Sequence, residues 1–221
     1  MRIVAVADTH LYHSDLGVLP AGDVLIHAGD LLRGGSLDEL KLGAKWLSEQ
    51  DFTHKILVAG NHDRCFQTDR EQASKILGES VTYLQDSGTQ IQGLMFWGSP
   101  WQPAYHNWAF NLPRGEALRK YWAQIPANVD VLITHGPPAG VGDASPVPGR
   151  GGCVELMKRV ESITPALHLF GHIHQDGGFW QHERTAFSNV TTWECDRGVT
   201  IIDIDPSNRA VVAVQVPSAM C

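Results

Sequence analysis

The sequence is poor in the features that mark disulfide-stapled or membrane-spanning proteins. Its four cysteines lie far apart and form no Cys-x-x-Cys pair, which argues against a disulfide framework or a thiolate zinc site. No apolar run is long enough to cross a bilayer. The chain starts directly in a strand-like run, Arg2 to Ala7, without a leader-like apolar segment before it. We therefore expect a cytoplasmic protein with no membrane partner.

An excess of basic charge is also lacking. The formal net charge is -7 at pH 7, whereas proteins that bind duplex nucleic acid usually need a basic face. Hydrophobic residues make up 43% of the chain, which argues against disorder. A length of 221 residues without repeats, low-complexity tracts or a linker suits one domain over residues 1–221. These features disfavour a duplex nucleic acid partner and predict a single folded unit.

The first half of the chain alternates strand and helix patterns, and the tail is mostly strand. Apolar strand-like runs occur at 2–7, 24–27, 55–58, 81–84, 89–91, 94–97, 129–134, 167–170, 179–182, 185–190, 199–204 and 210–216, and helical patterns at 36–50, 69–77, 115–124 and 153–162. This order predicts an α/β fold, a four-layer α-β-β-α sandwich of two mixed sheets flanked by helices. Residues 99–114 are expected to form an ordered surface loop and residues 139–152 a mobile loop.

Polar side chains with metal-binding atoms follow five of these strands. They are Asp8, His10, Asp30, Asn61, His62, His135, His172 and His174. Each alone could be a helix cap, a turn residue or a buried structural histidine. Ligands of open α/β sheets bind beyond the carboxyl ends of strands, so their joint position favours one shared site there.

The chemistry of these groups indicates which metal ions would bind. Carboxylate, imidazole and amide oxygen suit Mn, Fe, Zn, Ni or Co, and of these we expect Mn to support activity. The set is too large for one tetrahedral ion and about sufficient for two, with one carboxylate bridging them. The sequence therefore predicts a centre that holds two divalent metal ions.

The stretch from Ala59 to Asp63 is the most informative of these motifs. Gly60 permits a close backbone approach, Asn61 offers an amide oxygen, His62 can carry a proton, and Asp63 could orient an imidazole. A polar turn that caps a helix is the alternative interpretation, because Asn and Asp favour both.

Taken in order, the motifs Asp-x-His, Gly-Asp, Gly-Asn-His-Asp, a lone His after a strand and Gly-His-x-His resemble those of the calcineurin-like metallophosphoesterases. Three further runs, 98–103, 108–114 and 134–138, resemble the small metallophosphoesterase-domain proteins related to class III cyclic nucleotide phosphodiesterases. The resemblance covers nearly the whole chain and implies the same fold.

The resemblance also implies a role for each residue of the predicted centre. One metal ion would be held by Asp8, His10, Asp30 and His174, and the other by Asp30, Asn61, His135 and His172. Asp30 would bridge the two ions, which would hold a hydroxide in line with phosphorus. His62 would protonate the leaving group as general acid, and Asp63 would orient His62.

These roles imply a phosphodiesterase that acts on cyclic nucleotides or similar small diesters, so its partner is a small phosphate ester. The first alternative is a phosphomonoesterase, including a protein phosphatase. The protein Ser/Thr phosphatases have Gly-Asp-x-Val-Asp-Arg-Gly where this chain has residues 29–35 without the second Asp, which disfavours that alternative. The second alternative is a metal-binding interaction scaffold, which would not need a retained His62.

Several other residues are candidate substrate contacts. Arg33 and Arg64 could clamp a phosphate, although each could also be an ordinary surface arginine. The aromatic stretch from Trp101 to Phe110, with Trp101 as its candidate contact, could stack a nucleobase, or it could be a packing lid or part of a homodimer surface. His13, His106 and Asn107 are candidates because they lie near the motifs.

Overall fold

Two six-stranded sheets form the centre of the protein. The computed structural model describes residues 1–145 and 151–217. The strands are β1 (Arg2–Val6), β2 (Val24–Ala28), β3 (His54–Val58), β4 (Thr82–Tyr83), β5 (Ser87–Ile91), β6 (Leu94–Ser99), β7 (Gln102–Pro103), β8 (Asn111–Leu112), β9 (Val131–Thr134), β10 (Leu167–Phe170), β11 (Gly178–His182), β12 (Thr185–Asn189), β13 (Thr200–Asp205) and β14 (Ala210–Gln215). The helices are α1 (Leu37–Glu49), α2 (Cys65–Thr68), α3 (Arg70–Leu77), α4 (Glu116–Trp122) and α5 (Val154–Ile163), with short 3-10 helices at His13–Leu16 and His174–Asp176.

Both sheets are mixed, as the sequence predicts. The first has the strand order β14-β13-β1-β2-β3-β4 and the second has the order β11-β12-β10-β9-β6-β5, while β7 and β8 pair separately. Strands β1 to β4 run parallel, as do β6, β9, β10 and β12. The outer pairs β1–β13, β13–β14, β5–β6 and β11–β12 are antiparallel. The carboxyl ends of the parallel strands within each sheet therefore lie at one edge.

Alternating side chains divide the interior into three apolar layers. On β1, Ile3 and Ala5 pack between the two sheets, whereas Val4 and Val6 pack with α1 and α3 on the outside of the first sheet. Leu132 of β9 packs with α4 and α5 on the outside of the second sheet. A strand alternates faces with a period of two residues, so each β1 residue serves one of two cores. The result is the predicted four-layer α-β-β-α sandwich.

The structure differs from the sequence expectations in its smallest elements. Helix α2 and the β7–β8 pair were not expected, and the pair lies inside the predicted surface loop 99–114. Residues 146–150 of the predicted mobile loop lie outside the described residues. At the edges of that loop, the N–H of Ala139 donates to the carbonyl of Cys153, and that of Gly151 donates to the carbonyl of Asp143.

Helix α1 illustrates where local sequence signals suffice. Ser36 accepts a hydrogen bond from the backbone of Glu39, and the Glu39 side chain accepts one from the Ser36 backbone, which together form a capping box. Within the described ranges, Cys65, Cys153 and Cys195 are buried free thiols, as expected. None of the helices described is long and apolar enough to cross a membrane.

Candidate metal centre

The chain turns sharply where the candidate ligands leave their strands. Asp8 (φ 56°), His10 (φ 45°), Asp30 (φ 57°) and His172 (φ 71°) adopt left-handed backbone conformations. A non-glycine residue in this region costs about 1–3 kcal/mol and persists where the surrounding structure imposes it. These backbone conformations direct the side chains that follow β1, β2 and β10 toward one another. Backbone strain leaves no mark in the sequence, so only the structure reveals it.

One cluster of ligand atoms joins the first and last motifs of the chain. The ligand atoms of Asp8, His10 and His174 all lie within 4.8 Å of one another. His174 Nε2 lies 3.6 Å from Asp8 Oδ1, and His10 Nε2 lies 3.9 Å from Asp30 Oδ2. The backbone N–H of His172 donates to both oxygens of Asp8, which fixes the carboxylate.

A second cluster lies across the seam between the two sheets. It contains Asp30, His135 and His172, again with ligand atoms within 4.8 Å. His135 Nε2 is 3.3 Å from Asp30 Oδ2 and 2.9 Å from Asn61 Oδ1, which brings the predicted amide ligand into the group. His135 Nδ1 donates to the carbonyl of Ala28 on the other sheet at 3.0 Å. The sandwich therefore joins two residues that lie 107 positions apart in the chain.

One buried nitrogen without a hydrogen-bond partner indicates that the residues of the site fit a metal ion. His10 Nδ1 bonds the carbonyl of Leu32 at 3.1 Å, which puts the proton on Nδ1 and leaves a lone pair on Nε2. That Nε2 is buried and has no hydrogen-bond partner among the described residues. An imidazole fixed in this tautomer, with its free nitrogen beside a carboxylate, is the usual arrangement of a metal ligand. The donor set, with no thiolate in either cluster, fits divalent ions of the predicted kinds.

The charges of the two clusters are strongly coupled. Burial raises the pKa of Asp8, but the neighbouring His174 outweighs it, so the pKa lies below its usual range. Asp30 behaves in the same way because of His135. Burial lowers the pKa of His135, but the charge and hydrogen bond of Asp30 raise it to about 9. Burial and the positive His135 lower the pKa of His172 to about 4. Two carboxylates thus remain ionised in a buried site, where a cation would stabilise them.

His62 lies beside both clusters and is partly exposed. It forms a third group with His10 and Asp30, and its backbone N–H donates to Asp30 Oδ1 at 2.8 Å. His62 Nδ1 lies 2.5 Å from the carbonyl oxygen of Arg33, which can only accept. The ring is therefore held by a backbone carbonyl, with its second nitrogen left for other chemistry.

The structure corrects the expected contact between Asp63 and His62. Both Asp63 oxygens accept backbone N–H groups instead, from Leu31 at 3.3 Å, Leu32 at 2.9 Å and Gly60 at 2.8 Å. Burial and the charge of Asp30 raise the pKa of Asp63 to about 7, and the backbone donors oppose this rise. Asp63 therefore ties the loop after β2 to the loop after β3 and acts on His62 only through that backbone.

The candidate substrate contacts lie in different settings. Arg33 is exposed, donates to the carbonyl of His10 at 2.8 Å and covers the Tyr12 ring. Arg64 donates to the carbonyl of Asn107 at 2.8 Å, so both are committed to loop backbone near the site. His106 is exposed, and its ring lies 5.7 Å from that of Trp108.

The packing of Trp101 and His13 differs from that expected of substrate contacts. The Trp101 indole donates to Asp86 at 2.7 Å, and its ring contacts Phe110 and Tyr121. His13 is buried and stacks on Trp46 at 4.6 Å. His13 is therefore buried away from solvent, whereas the partly buried Trp101 ring is packed among other aromatic side chains with its indole N–H already bonded.

Two other tryptophans lie next to the site, and neither was predicted individually as a substrate contact from the sequence. The Trp108 ring lies 4.2 Å from that of His62, and the Trp193 ring lies 6.3 Å from that of His174. Trp108 belongs to the aromatic stretch already singled out, but nothing in the sequence distinguishes it from Trp101. Trp193 lies in an irregular segment after β12, where no periodicity indicates its position.

Comparisons with known proteins agree with this site. Residues 1–176 match the family model of the calcineurin-like phosphoesterases. The human and mouse proteins named Metallophosphoesterase domain-containing protein 1 are each 38% identical over 236 residues, which cover 96% of this chain and 70% of theirs. A UPF0046 protein of Caenorhabditis elegans is also 38% identical and covers 90% of this chain and 71% of its own.

A solved structure from Thermus thermophilus shares the fold. It has a TM-score of 0.66 and covers 97% of this chain and 98% of its own, at 14% identity. The family match spans all five motifs, so it includes both metal-binding clusters. The chain belongs to the calcineurin-like phosphoesterase family, which supports metal-dependent hydrolysis of phosphoric esters.

Proposed function

We propose that this protein is a dinuclear metal-dependent phosphodiesterase that hydrolyses small diesters such as cyclic nucleotides. The main support for this proposal is that the ligands fall into two clusters and that Asp30 lies close to both. Asp30 Oδ2 lies 3.9 Å from His10 Nε2 in one direction and 3.3 Å from His135 Nε2 in the other. A bridging carboxylate between two ions about 3.5–4 Å apart is typical of two-metal hydrolases.

The charge balance of the site favours an anionic ester. Two divalent ions against the carboxylates of Asp8 and Asp30 leave a positive centre, and both carboxylates are fully buried. When bound, such ions activate water for attack on phosphorus and stabilise the charge that develops on the phosphoryl oxygens. With one hydroxide bound, the centre would keep a small positive charge, which the single negative charge of a diester would roughly balance. We expect Mn to support activity.

His62 is the proposed general acid. The Arg33 carbonyl holds the proton on Nδ1, so Nε2 is the atom that can give a proton to the leaving oxygen. The Asp30 carboxylate, which accepts from the His62 backbone, fixes the ring relative to the ligands. A general acid contributes about 10²–10⁴-fold and matters most for poor leaving groups such as a sugar hydroxyl. Asp8, His10, Asp30, Asn61, His135, His172 and His174 are the proposed metal ligands.

The test compares esters and metal content. Chelator-stripped protein is assayed with and without Mn²⁺ on 4-nitrophenyl phosphate, on the corresponding bis(4-nitrophenyl) diester and on a cyclic nucleotide. Metal-dependent turnover of the diesters above the monoester is the expected result. Preference for the monoester would instead identify a phosphomonoesterase. No turnover by protein that holds both metals would contradict an enzymatic role and favour the scaffold.

A His62→Gln variant tests the acid separately. We expect it to slow hydrolysis of the cyclic nucleotide about 10²-fold or more, and to slow the nitrophenyl diester far less, because nitrophenolate needs little protonation. Equal losses on both substrates would contradict the assignment. A single domain over residues 1–221, a cytoplasmic location and a homodimer remain predictions from the sequence.

A further inference from the structure

Five aromatic rings form a continuous row across the face of the candidate metal centre. Trp108 lies 4.2 Å from His62, and His62 lies 4.7 Å from His10. His10 lies 5.6 Å from His174, which lies 6.3 Å from Trp193, all measured between ring centroids. The three inner rings belong to the proposed ligands and general acid. The two tryptophans therefore flank the reacting centre on opposite ends of the row.

These two tryptophans are also distinguished by their exposure. All seven tryptophans of the chain lie in the described ranges, and only Trp108 and Trp193 are exposed, at 38% and 40%. An exposed indole next to a polar site offers a large apolar face and is typical of a binding surface.

The backbone of each tryptophan segment is fastened to a proposed metal ligand. Ala109, next to Trp108, donates its N–H to the carbonyl of Asn61 at 3.1 Å. Glu194, next to Trp193, donates to the carbonyl of Asp8 at 2.9 Å. Both tryptophan segments are thus anchored next to the centre through their backbone, which lowers the entropy lost when a ligand binds.

The Trp193 segment is strained as well as fastened. Three consecutive residues adopt left-handed backbone conformations, with φ values of 47° at Trp193, 56° at Glu194 and 70° at Cys195. Each of these conformations is unfavourable for a residue with a side chain. Buried Cys195 and the hydrogen bond from Trp193 N–H to Thr191 Oγ1 hold this turn in place. Strained backbone is often found at functional sites, and this turn borders the candidate centre.

We infer that Trp108 and Trp193 bind the two organic groups of a phosphodiester, one on each side of phosphorus. This inference rests on the proposed diesterase function and narrows its substrate class. Trp108 contacts the general acid His62, so it binds the leaving group. Trp193 contacts His174 at the other end of the row, so it binds the group that stays on phosphorus. Within the small diesters of the proposed function, the substrate class is one with a planar aromatic group on the retained side.

The test uses two diesters that share a leaving group. Bis(4-nitrophenyl) phosphate and methyl 4-nitrophenyl phosphate release the same nitrophenolate and differ only in the retained group. Replacing a stacking aromatic side chain with alanine weakens binding of the stacked group about tenfold. Trp193→Ala should therefore lower kcat/KM about tenfold for the aromatic diester and leave the methyl diester unchanged. Trp193→Phe should restore most of the loss, because it keeps an aromatic face.

Trp108→Ala should lower kcat/KM for both diesters, since both present the same leaving group to that side. Leu42→Ala provides a control, because Leu42 is a 60% exposed apolar residue on α1 and touches none of the proposed ligands. We expect this variant to match the unmodified protein on both substrates.

Three results would overturn the inference. Equal losses on both diesters in Trp193→Ala would show that Trp193 supports His174 and the metal instead of the retained group. No loss on either would show that its ring does not bind substrate. Metal-loaded protein that hydrolyses neither diester would contradict the proposed function itself, which separates that failure from a failure of the tryptophan assignment.

Discussion

Replacing Gly60 by alanine should disable the metal centre by a direct clash. A Cβ at this position would lie 2.2 Å from Asp30 Oδ1, 2.4 Å from Asp30 N and 2.7 Å from His135 Cε1. None of these atoms is the end of a flexible side chain, because Asp30 N is backbone and both side chains are buried. Gly60 is not among the residues with a positive φ, so alanine brings no backbone strain of its own.

The size of the effect follows from the displacement that the methyl group demands. Non-bonded carbon contacts are optimal at about 3.5–4.0 Å, so the Asp30 carboxylate must move by about 1 Å or more. Metal–ligand distances tolerate about 0.2 Å, and a 1 Å misplacement at a reacting centre costs about 10²-fold. We therefore expect kcat/KM to fall about 100-fold. Overpacking of the site should lower the free energy of unfolding by about 1–3 kcal/mol.

The assay combines metal content with hydrolysis. Protein dialysed against Mn²⁺ is analysed by elemental mass spectrometry and assayed on bis(4-nitrophenyl) phosphate. Gly34→Ala is the matched control, because its Cβ would meet only Glu39 at 3.6 Å, an ordinary contact. Gly60→Ala protein with unchanged metal content and activity within about threefold would refute the reasoning. A comparable loss in Gly34→Ala would show that any alanine in this region is harmful.

Three further predictions concern buried titratable groups. Asp63→Asn replaces an acceptor of backbone N–H groups with an amide, and urea unfolding should show a loss of about 1–3 kcal/mol. His168 is buried and its pKa is lowered to about 3, so below pH 6.5 the unfolded chain binds more protons. Stability should therefore fall by up to about 1.4 kcal/mol per pH unit from pH 6.5 toward 3, and His168→Gln should flatten this slope in urea titrations. The pKa of His135 is raised to about 9, so below that pH a metal ion must displace its proton in order to bind. Calorimetry should therefore show that the Mn²⁺ affinity rises up to about tenfold per pH unit until about pH 9 and is constant above it.

The gathering of the ligands could be predicted from the sequence because it depends on one topological rule. Asp8, Asp30 and Asn61 each follow a buried strand within three residues, and parallel strands place their carboxyl ends at the same edge. The same rule applies to His135 and His172 on the second sheet. The local chain pattern thus determines which residues meet, although not their distances.

The smallest elements could not be predicted because they carry too little periodic signal. Helix α2 has four residues, which is barely one turn, so no apolar stripe can be recognised. Strands β7 and β8 have two residues each, and β7 contains Pro103, a residue type that usually argues against a strand. These elements are imposed by tertiary contacts.

The contacts of Asp63 show that two residues adjacent in sequence need not interact through their side chains. Neighbouring residues of a turn point in different directions, so a carboxylate next to a histidine need not reach its ring. The group that fixes the His62 ring is the carbonyl of Arg33, 29 positions away on another loop. A backbone carbonyl has no side-chain identity, and no pattern of residue types reveals it. Trp193 was missed for a related reason, since its position depends on a strained turn fastened to Asp8.

Two buried histidines beneath the site hydrogen-bond residues next to its candidate ligands without adding charge. Thr9, between Asp8 and His10, shares a 2.9 Å hydrogen bond with His27 on β2. Thr134, next to His135, has the same contact with His168 on β10.

Both histidines could in principle repel a cation, but burial lowers the pKa of each to about 3. They therefore stay neutral at physiological pH, and their hydrogen bonds do not oppose the binding of positive ions. Because Thr134 also donates to the carbonyl of Gly136, His168 must be the donor in its pair, which leaves its Nδ1 without a proton. A lysine or arginine could hold the threonine equally well, but its fixed charge would weaken metal binding a few ångströms away. Neutral histidines under each half of the candidate centre are therefore compatible with the binding of cations there.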